Sequence, residues 1–241
     1  MPRFSVVMPC YNAAETLSSS IKSVLDQTLD DFELLIVDDR STDATAKLLS
    51  SIDDPRIRTF ANDQRNGAAA TRNVAVREAT GRYIAFLDAD DLWLPVKLET
   101  QLKEFETSQA PLVYSSYFAK SSRGKKLIRA PKSVDYRRLL YGNSIGCLTA
   151  VYDTNICGKQ EMPLIRRRHD YALWLRILKQ FGPAAGTEEP LAIYNRSATS
   201  LSSNKIAATY DTWKMFRNEI GLSRSASLRS VASHVVSRAF R

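Results

Sequence analysis

The chain has 241 residues, enough to bury a substantial core in one enzyme-sized domain, and its 44% hydrophobic and 25% charged content lies in the ordinary soluble range. Its apolar runs, such as residues 34–37 and 83–87, are too short to cross a bilayer, and Cys10, Cys147 and Cys157 have neither CxxC nor zinc-site spacing, which argues against a disulfide framework or a structural metal. Net charge is +8 but unevenly divided: residues 1–109 hold 12 Lys/Arg against 18 Asp/Glu, net −6, and residues 110–241 hold 22 against 8, net +14. An acidic half suited to a cation therefore adjoins a basic half suited to anionic material.

From the N-terminus, residues 3–8, 32–38, 57–60 and 83–87 are short β-branched or aromatic runs and read as strands. Residues 16–27, 43–51, 67–79 and 95–106 carry helical periodicity. The repeated alternation implies right-handed crossovers, hence an α/β fold with a mostly parallel central sheet and helices on both faces. After residue 106 the pattern loosens. Residues 112–118 read as a strand, 121–132 as a basic loop, 135–141 as a short helix, 147–153 as a strand, 171–181 as an amphipathic helix and 191–194 as a last short strand. From Asn204 the tail is helical, with Ile206, Tyr210, Trp213 and Phe216 near a 3.6-residue spacing, while Ser/Arg-rich residues 223–241 read as loosely ordered.

In parallel sheets ligands bind beyond the carboxyl ends of the strands. Here the three strongest strands end in polar residues: Pro9-Cys10-Tyr11-Asn12, Asp38-Asp39-Arg40-Ser41 and Asp88-Ala89-Asp90-Asp91. Two carboxylates one residue apart, Asp88 and Asp90, suit a hard divalent cation such as Mg²⁺ or Mn²⁺, with coordination positions left open for phosphate oxygens. The same residues also suit acidic capping of the helix that begins near Pro95. A carboxylate at the tip of the second strand can accept the ring N–H of a uracil-like base, and Tyr11 beside it can stack on that base. Arg72, near the start of the third helix, offers a bidentate donor to phosphate, or else a solvated helix face.

Five ordered blocks carry a family likeness: Ser5-Val6-Val7-Met8-Pro9-Cys10-Tyr11-Asn12, Ser23-Val24-Leu25-Asp26-Gln27-Thr28, the run from Phe32 to Asp43, Asn66-Gly67 to Arg72-Asn73, and Gly81 to Asp91. Over about residues 3–105 the chain resembles the inverting glycosyltransferase family 2. That resemblance implies the GT-A fold, a Rossmann-like half that binds a nucleotide-sugar donor, with a UDP-sugar expected, and a divalent metal. By resemblance, Pro9, Tyr11 and Asp39 line the base and ribose pocket, Arg72 lies near the nucleotide, Asp88 contacts the ribose, Asp90 ligates the metal, and Asn12 and Ala89 complete the donor-binding set. Family members carry an acidic pair at the start of a later helix, whose Asp is the general base. The matching stretch is Arg168-His169-Asp170-Tyr171, so Asp170 takes that role and His169 stands in place of Glu. Without the resemblance, Asp170 also reads as a helix cap, and His169 reads as a structural neighbour sooner than as a second base.

The resemblance divides the chain into a nucleotide-sugar-binding half at 1–109, an acceptor-binding half of the same domain at 110–203, and a helical tail at 204–241. Pro190 to Arg196 and Ser200-Leu201-Ser202 resemble a segment of members that build bacterial surface polysaccharides, with Asn195 where Arg is usual. The expected acceptor is a glycan or lipid-linked saccharide, and single addition is favoured because the chain lacks Gln-x-x-Arg-Trp. The N-terminus lacks the zones of a secretory signal, so cytoplasmic residence is expected. Arg166-Arg167-Arg168, Lys125-Lys126 and the tail, with Trp213 and Phe216, offer peripheral contact to the inner face of a membrane, or else the tail packs on the domain. No nucleic-acid partner is expected, since the acidic clusters would repel phosphate and no binding motif is present. The absence of GxxxxGK[ST] and GxGxxG argues against phosphoryl-transfer and dinucleotide enzymes. A non-catalytic nucleotide-sugar-binding relative remains a distinct alternative.

Overall fold

Strands whose residues are apolar on both faces belong in the middle of a sheet covered on both sides. Every residue of β2 (Phe32–Asp38) is buried, and β1 (Phe4–Cys10) and β4 (Tyr83–Phe86) are almost as apolar. In the computed structural model, which describes residues 1–122, 124–195 and 205–239, β1 pairs in parallel with β2 and β4, and β2 with β3 (Ile57–Ala61). Cys10 lies opposite Asp38, and Val7 opposite Phe86. The chain therefore leaves the tips of β1, β2 and β4 at one edge, with Tyr11, Asp39 and Asp88 just beyond them.

Alternate residues of these strands feed two cores. Val6, Met8, Leu34 and Ile36 meet α1 (Leu17–Leu25), α2 (Thr45–Ser50) and the later helix α4 (Lys97–Ser108) on one face. Val7, Leu35 and Val37 meet α3 (Ala68–Glu78) on the other, together with α7 (His169–Phe181) and α8 (Lys205–Asn218). Helices thus cover both faces, as the alternating pattern implies.

The second half continues the same sheet. It comprises β5 (Leu92–Trp93), β6 (Leu112–Ser121), β7 (Gly124–Ile128), β8 (Ser133–Val134), α5 (Tyr136–Leu139), a 3₁₀ turn at Cys147–Thr149, β9 (Val151–Asp153), α6 (Thr154–Cys157), β10 (Ala184–Asn195) and α9 (Arg224–Ala239). Strand order is β3-β2-β1-β4-β9-β6-β10-β5, with β7 on β6 and β8 on β10. The first four strands are mutually parallel, whereas β9 runs antiparallel to both β4 and β6. No helix among the described residues is long and apolar enough to cross a membrane.

Several segments depart from the pattern reading. Residues 124–128 form a strand rather than part of a loop; the hairpin is held by backbone pairing to β6 and by Lys125 3.7 Å from the Phe118 ring centroid, so it shows no buried alternation. The final strand runs from Ala184 to Asn195, longer than residues 191–194, because register shifts on either side of Pro190 break its periodicity. The run at 147–153 begins as a 3₁₀ turn before β9. Residues 224–239 are helical rather than loosely ordered: the buried face of α9 includes Ser227 and Ser230, small residues that pack closely without apolar periodicity. The α8 stripe divides, with Met215 and Phe216 buried and Tyr210 exposed. Ile206's side chain, Arg196 and Ser200-Leu201-Ser202 lie outside the described residues.

One polar knot fixes the strands near their starts. Glu33, buried in β2, accepts from Ser5 Oγ at 2.6 Å, Thr80 N at 2.6 Å, Thr80 Oγ1 at 2.7 Å and Arg58 Nη1 at 3.0 Å. Ser5 Oγ in turn accepts from Gly81 N at 2.8 Å, and a Cβ at Gly81 would meet Phe4 C at 2.7 Å, so only glycine fits there. Burial pushes the Glu33 carboxyl up, but its hydrogen bonds outweigh that and hold it below the ordinary value. Its stabilising contribution is therefore present above the unfolded-state pKa of about 4.3 and is lost as pH falls through the lower folded value. Glu33→Ala is expected to cost about 1–3 kcal/mol in urea melts at pH 7 by orphaning these donors, with the gap to wild type narrowing in acid below pH ~4.

Candidate active site

The carboxyl edge of the parallel strands gathers three loops. After β1, Asn12 adopts φ 49°, its N–H donates to Ser41 Oγ at 2.9 Å, and its Oδ1 accepts from Thr42 N at 2.8 Å. Asn12 is thus a clasp between the first two strand tips. Asp38 accepts from both the backbone and the hydroxyl of Ser41, so its carboxylate is committed to that turn. Tyr11 stands at the rim, 37% exposed, with the Arg65 guanidinium 4.0 Å from its ring centroid. Pro9, half-buried, sits opposite Val37 in the β1–β2 ladder.

Asp39 is the organiser of the next loop. Its carboxylate accepts from Asn62 Nδ2, Asn66 N and Gly67 N, each at 2.8 Å, which fixes the path into α3. Gly67, at φ 83°, supplies the left-handed backbone that turns Asn66 N and Gly67 N toward one acceptor. Burial raises the Asp39 carboxyl, and hydrogen bonds from Asn66, Asn62, Gly67 and Thr71 more than offset it, so the group stays ionised below the ordinary carboxylate range. Asn62, at the tip of β3, is a site residue that sequence reasoning missed. Its signal was the same one, a polar residue just past a strand's carboxyl end.

Arg72 is the centre of the site. It is 4% exposed, not a solvated helix residue; Nη2 donates to Asp88 Oδ1, and Nη1 lies 2.9 Å from His169 Nε2. Its Nε is buried without a hydrogen-bond partner. The guanidinium thereby ties the turn after β4 to the first residue of α7, and brings Asp88 and Asp170 into electrostatic range of one cation. Asp170 lies in the first turn of α7, where the positive end of the helix dipole attracts an anion.

The acidic turn itself is clamped from the far side. Asn195 at the end of β10 donates its backbone N–H to Asp91 Oδ1 at 2.8 Å and its side-chain amide to Asp90 O at 2.7 Å. Ala89 is buried between the flanking carboxylates. Beyond the turn, Trp93 Nε1 donates to Leu148 O at 2.9 Å, and Gln101 Nε2 to Thr149 O at 2.7 Å, so the 3₁₀ turn carrying Cys147 is fixed beside it. Burial, then Asp88, push the Asp90 carboxyl up, and burial with both neighbouring aspartates takes Asp91 to about 9.

Among the described residues no three His, Cys, Asp or Glu side chains form a cluster able to hold a metal by themselves. A hard cation held by one or two carboxylates and completed by a ligand's phosphates asks for less. The Asp90 carboxyl, destabilised as an anion by burial and by Asp88, fits such a cation, because a nearby divalent charge would relieve both costs.

An α/β sheet that collects carboxylates, a buried guanidinium and a helix N-terminus at its carboxyl edge defines an enzyme that handles a charged ligand there. The model of the glycosyl transferase family 2 matches residues 5–170, and the chain belongs to that family. It is 40% identical over 221 residues to a putative teichuronic acid biosynthesis glycosyltransferase of Bacillus subtilis, covering 90% of this chain and 88% of that one. It is 39% identical over 212 residues to an Escherichia coli UDP-Glc:α-D-GlcNAc-diphosphoundecaprenol β-1,3-glucosyltransferase, covering 87% and 83%. Among solved structures, S. aureus TarS 1–349 in complex with UDP-GlcNAc matches with a TM-score of 0.79 at 18% identity, covering 98% of this chain and 72% of that one. A Pyrobaculum calidifontis mannosyltransferase in complex with GDP-Man and Mn²⁺ matches at 0.72 and 18%, covering 99% and 75%. The fold is therefore GT-A, and the protein is a glycosyltransferase.

If Asp39 organises the loop before α3, then Asp39→Asn, which replaces an acceptor oxygen with a donor, should cost about 1–3 kcal/mol and speed hydrogen exchange at the Asn66 and Gly67 amides. Unchanged exchange at both amides would remove Asp39 from that role.

Proposed function

We propose that this protein transfers a single sugar, with inversion, from a UDP-sugar to a hydroxyl of a lipid-diphosphate-linked saccharide during bacterial surface polysaccharide synthesis. The observation that carries this reading is the Arg72 bridge, which joins the turn of Asp88 and Asp90 to the start of the helix that bears Asp170. Donor and acceptor chemistry need adjacent groups of these kinds. The names of the two curated relatives support a polysaccharide or undecaprenyl-diphosphate-linked context, and that of the S. aureus neighbour supports a UDP-sugar.

In this reading residues 1–109 bind the donor, 110–203 shape the acceptor site, and α8 and α9 of the tail brace α7. Pro9, Tyr11, Asn12 and Asp39 frame the base and ribose, with Arg65 displaced from Tyr11 by the incoming base; base–aromatic stacking is worth about 1–3 kcal/mol. Asp88 meets the ribose. Asp90 would hold Mn²⁺ or Mg²⁺, and a bound divalent ion supplies charge stabilisation to the departing diphosphate. Arg72 and Ala89 support the turn from below.

Asp170 acts as general base. Inversion in a single displacement needs a proton acceptor on the face of the sugar opposite the leaving group, so that the acceptor hydroxyl loses its proton as its oxygen attacks. A carboxylate on α7, a different element from the donor loops, can serve that face.

The acceptor's lipid places the reaction at a membrane surface, on the cytoplasmic side where nucleotide sugars are made. Arg167 and Arg168 are engaged by α8, through Asp211 Oδ2 at 2.6 Å and Thr212 Oγ1 at 3.1 Å, so the surface contact falls to exposed Arg166, Lys214 and Tyr210.

Calorimetric titration should show binding of a UDP-sugar that strengthens with Mn²⁺ and exceeds that of GDP- and dTDP-sugars; indifference to all three donors would sink the donor assignment. Asp170→Asn should lower transfer about 10²–10⁴-fold while UDP binding is retained, measured on a synthetic lipid-diphosphate saccharide. Full activity in that variant would remove Asp170 as the base.

A further inference from the structure

His169 occupies the place where the family resemblance expects glutamate, and the reaction as described does not use it. Its two ring nitrogens have unequal surroundings. Nε2 lies 2.9 Å from Arg72 Nη1, and Nδ1 lies 3.3 Å from Ile165 O, four residues earlier in its own chain and before α7 begins. A guanidinium carries donors only, and a carbonyl oxygen accepts only. Nε2 must therefore present its lone pair to Arg72, and the ring proton must sit on Nδ1, donating to Ile165 O.

The other histidine has the opposite arrangement. Tyr171 donates its single hydroxyl proton to Leu139 O at 2.5 Å, so the contact of 2.7 Å between Tyr171 Oη and His234 Nε2 requires that Nε2 be the donor. The chain contains only these two histidines. Nε2 is therefore the acceptor in His169 and the donor in His234.

The charge at position 169 has a consequence for Arg72. Its guanidinium is buried and contacts one carboxylate, Asp88, while Asp90 and Asp91 lie in the same turn and Asp170 follows on α7. A glutamate in place of His169 would accept from the same Nη1, but would add a full negative charge against the same cation. Histidine supplies the acceptor without the charge. Burial and the Arg72 charge both push His169 down from its ordinary value, in keeping with the neutral ring.

We propose that His169 is a positioning residue: a neutral hydrogen-bond acceptor that locks the Arg72 guanidinium against Asp88, couples the donor turn to the helix of Asp170, and leaves the Arg72 charge directed at the acidic turn where an anionic diphosphate binds. The inference rests on the donor-site reading above. It predicts that the chemistry of the acceptor at 169 matters, and not only its size.

The test is a set of three variants in the full chain, His169→Gln, His169→Glu and His169→Leu, titrated with UDP at saturating Mn²⁺ and assayed for kcat and KM. Gln, a neutral acceptor, should keep the Kd for UDP within about 3-fold of wild type. Leu and Glu should each weaken UDP about 10-fold or more, Leu by freeing the guanidinium and Glu by neutralising it, with the loss falling on KM for the donor more than on kcat. A structural role alone would let Glu perform as Gln does, and that result, or an unimpaired Leu variant, would overturn the proposal. Failure of the wild type itself to bind UDP would instead overturn the donor reading. A second measurement needs no variant to fold: long-range ¹H–¹⁵N spectra of the histidine rings at pH 8 should show one ring protonated at Nδ1 and one at Nε2. Two Nε2-protonated rings would refute the assignment for His169.

Discussion

A guanidinium that is 4% exposed has to be matched where it sits, because an unpaired buried charge costs several kcal/mol. Arg72 meets that demand with Asp88 from the sheet's edge and His169 from α7, two residues 81 positions apart in sequence that become neighbours through one side chain. The rest of the site is arranged around this constraint. The register of β1, β2 and β4 brings their tips to a common level, the Asp39 knot turns the chain into α3 so that Arg72 points inward, and Asn195 holds the acidic turn in place from β10. Each contact is modest by itself, about 0.5–1.5 kcal/mol net for a neutral hydrogen bond, but they share residues and so depend on each other.

Burial raises the carboxyls at this edge, and what surrounds each one separates them by role. Asp39 is surrounded by N–H donors and stays ionised despite burial, which suits a fixed acceptor that shapes a loop. Asp90 and Asp91 are pushed up first by burial and then by the Asp88 charge, with Asp90 adding to Asp91, and a cation entering the turn would relieve that repulsion. The same edge of the sheet thus contains a structural carboxylate type after β2 and a ligand-ready type after β4, distinguished by what surrounds them and not by the residue itself.

The parallel half of the fold was legible in the sequence because its strands are apolar on both faces and its helices are bounded by plain turn chemistry. Tyr11, Asp39 and Asp88 could be placed at one edge from strand ends alone. What could not be read was set by long-range pairing. The β7 hairpin is exposed on both sides, so no alternation marks it; the β10 strand hides behind the irregularity around Pro190; and α9 buries serines, which look like a loop in composition. Arg72 posed the same difficulty: a single arginine on a helix reads as solvated until the partners that bury it, Asp88 and His169, are known to converge. Asn62 sits just past the end of β3 and was missed because β3 is weaker in the sequence than the three strands whose polar tips mark the site, while the clamp that Asn195 makes on the acidic turn depends on long-range contacts from β10.

The central claim is spatial: the strand-tip acids, the Arg72 bridge and the start of α7 enclose one diphosphate site. A crystal structure of the protein with UDP and Mn²⁺, with the metal located by its anomalous signal, tests this most directly. The account predicts a manganese peak beside the Asp90 carboxylate, diphosphate oxygens completing its coordination, and the uracil between Tyr11 and the Asp39 loop. A nucleotide bound elsewhere, or a metal remote from Asp90 with UDP present, would contradict it.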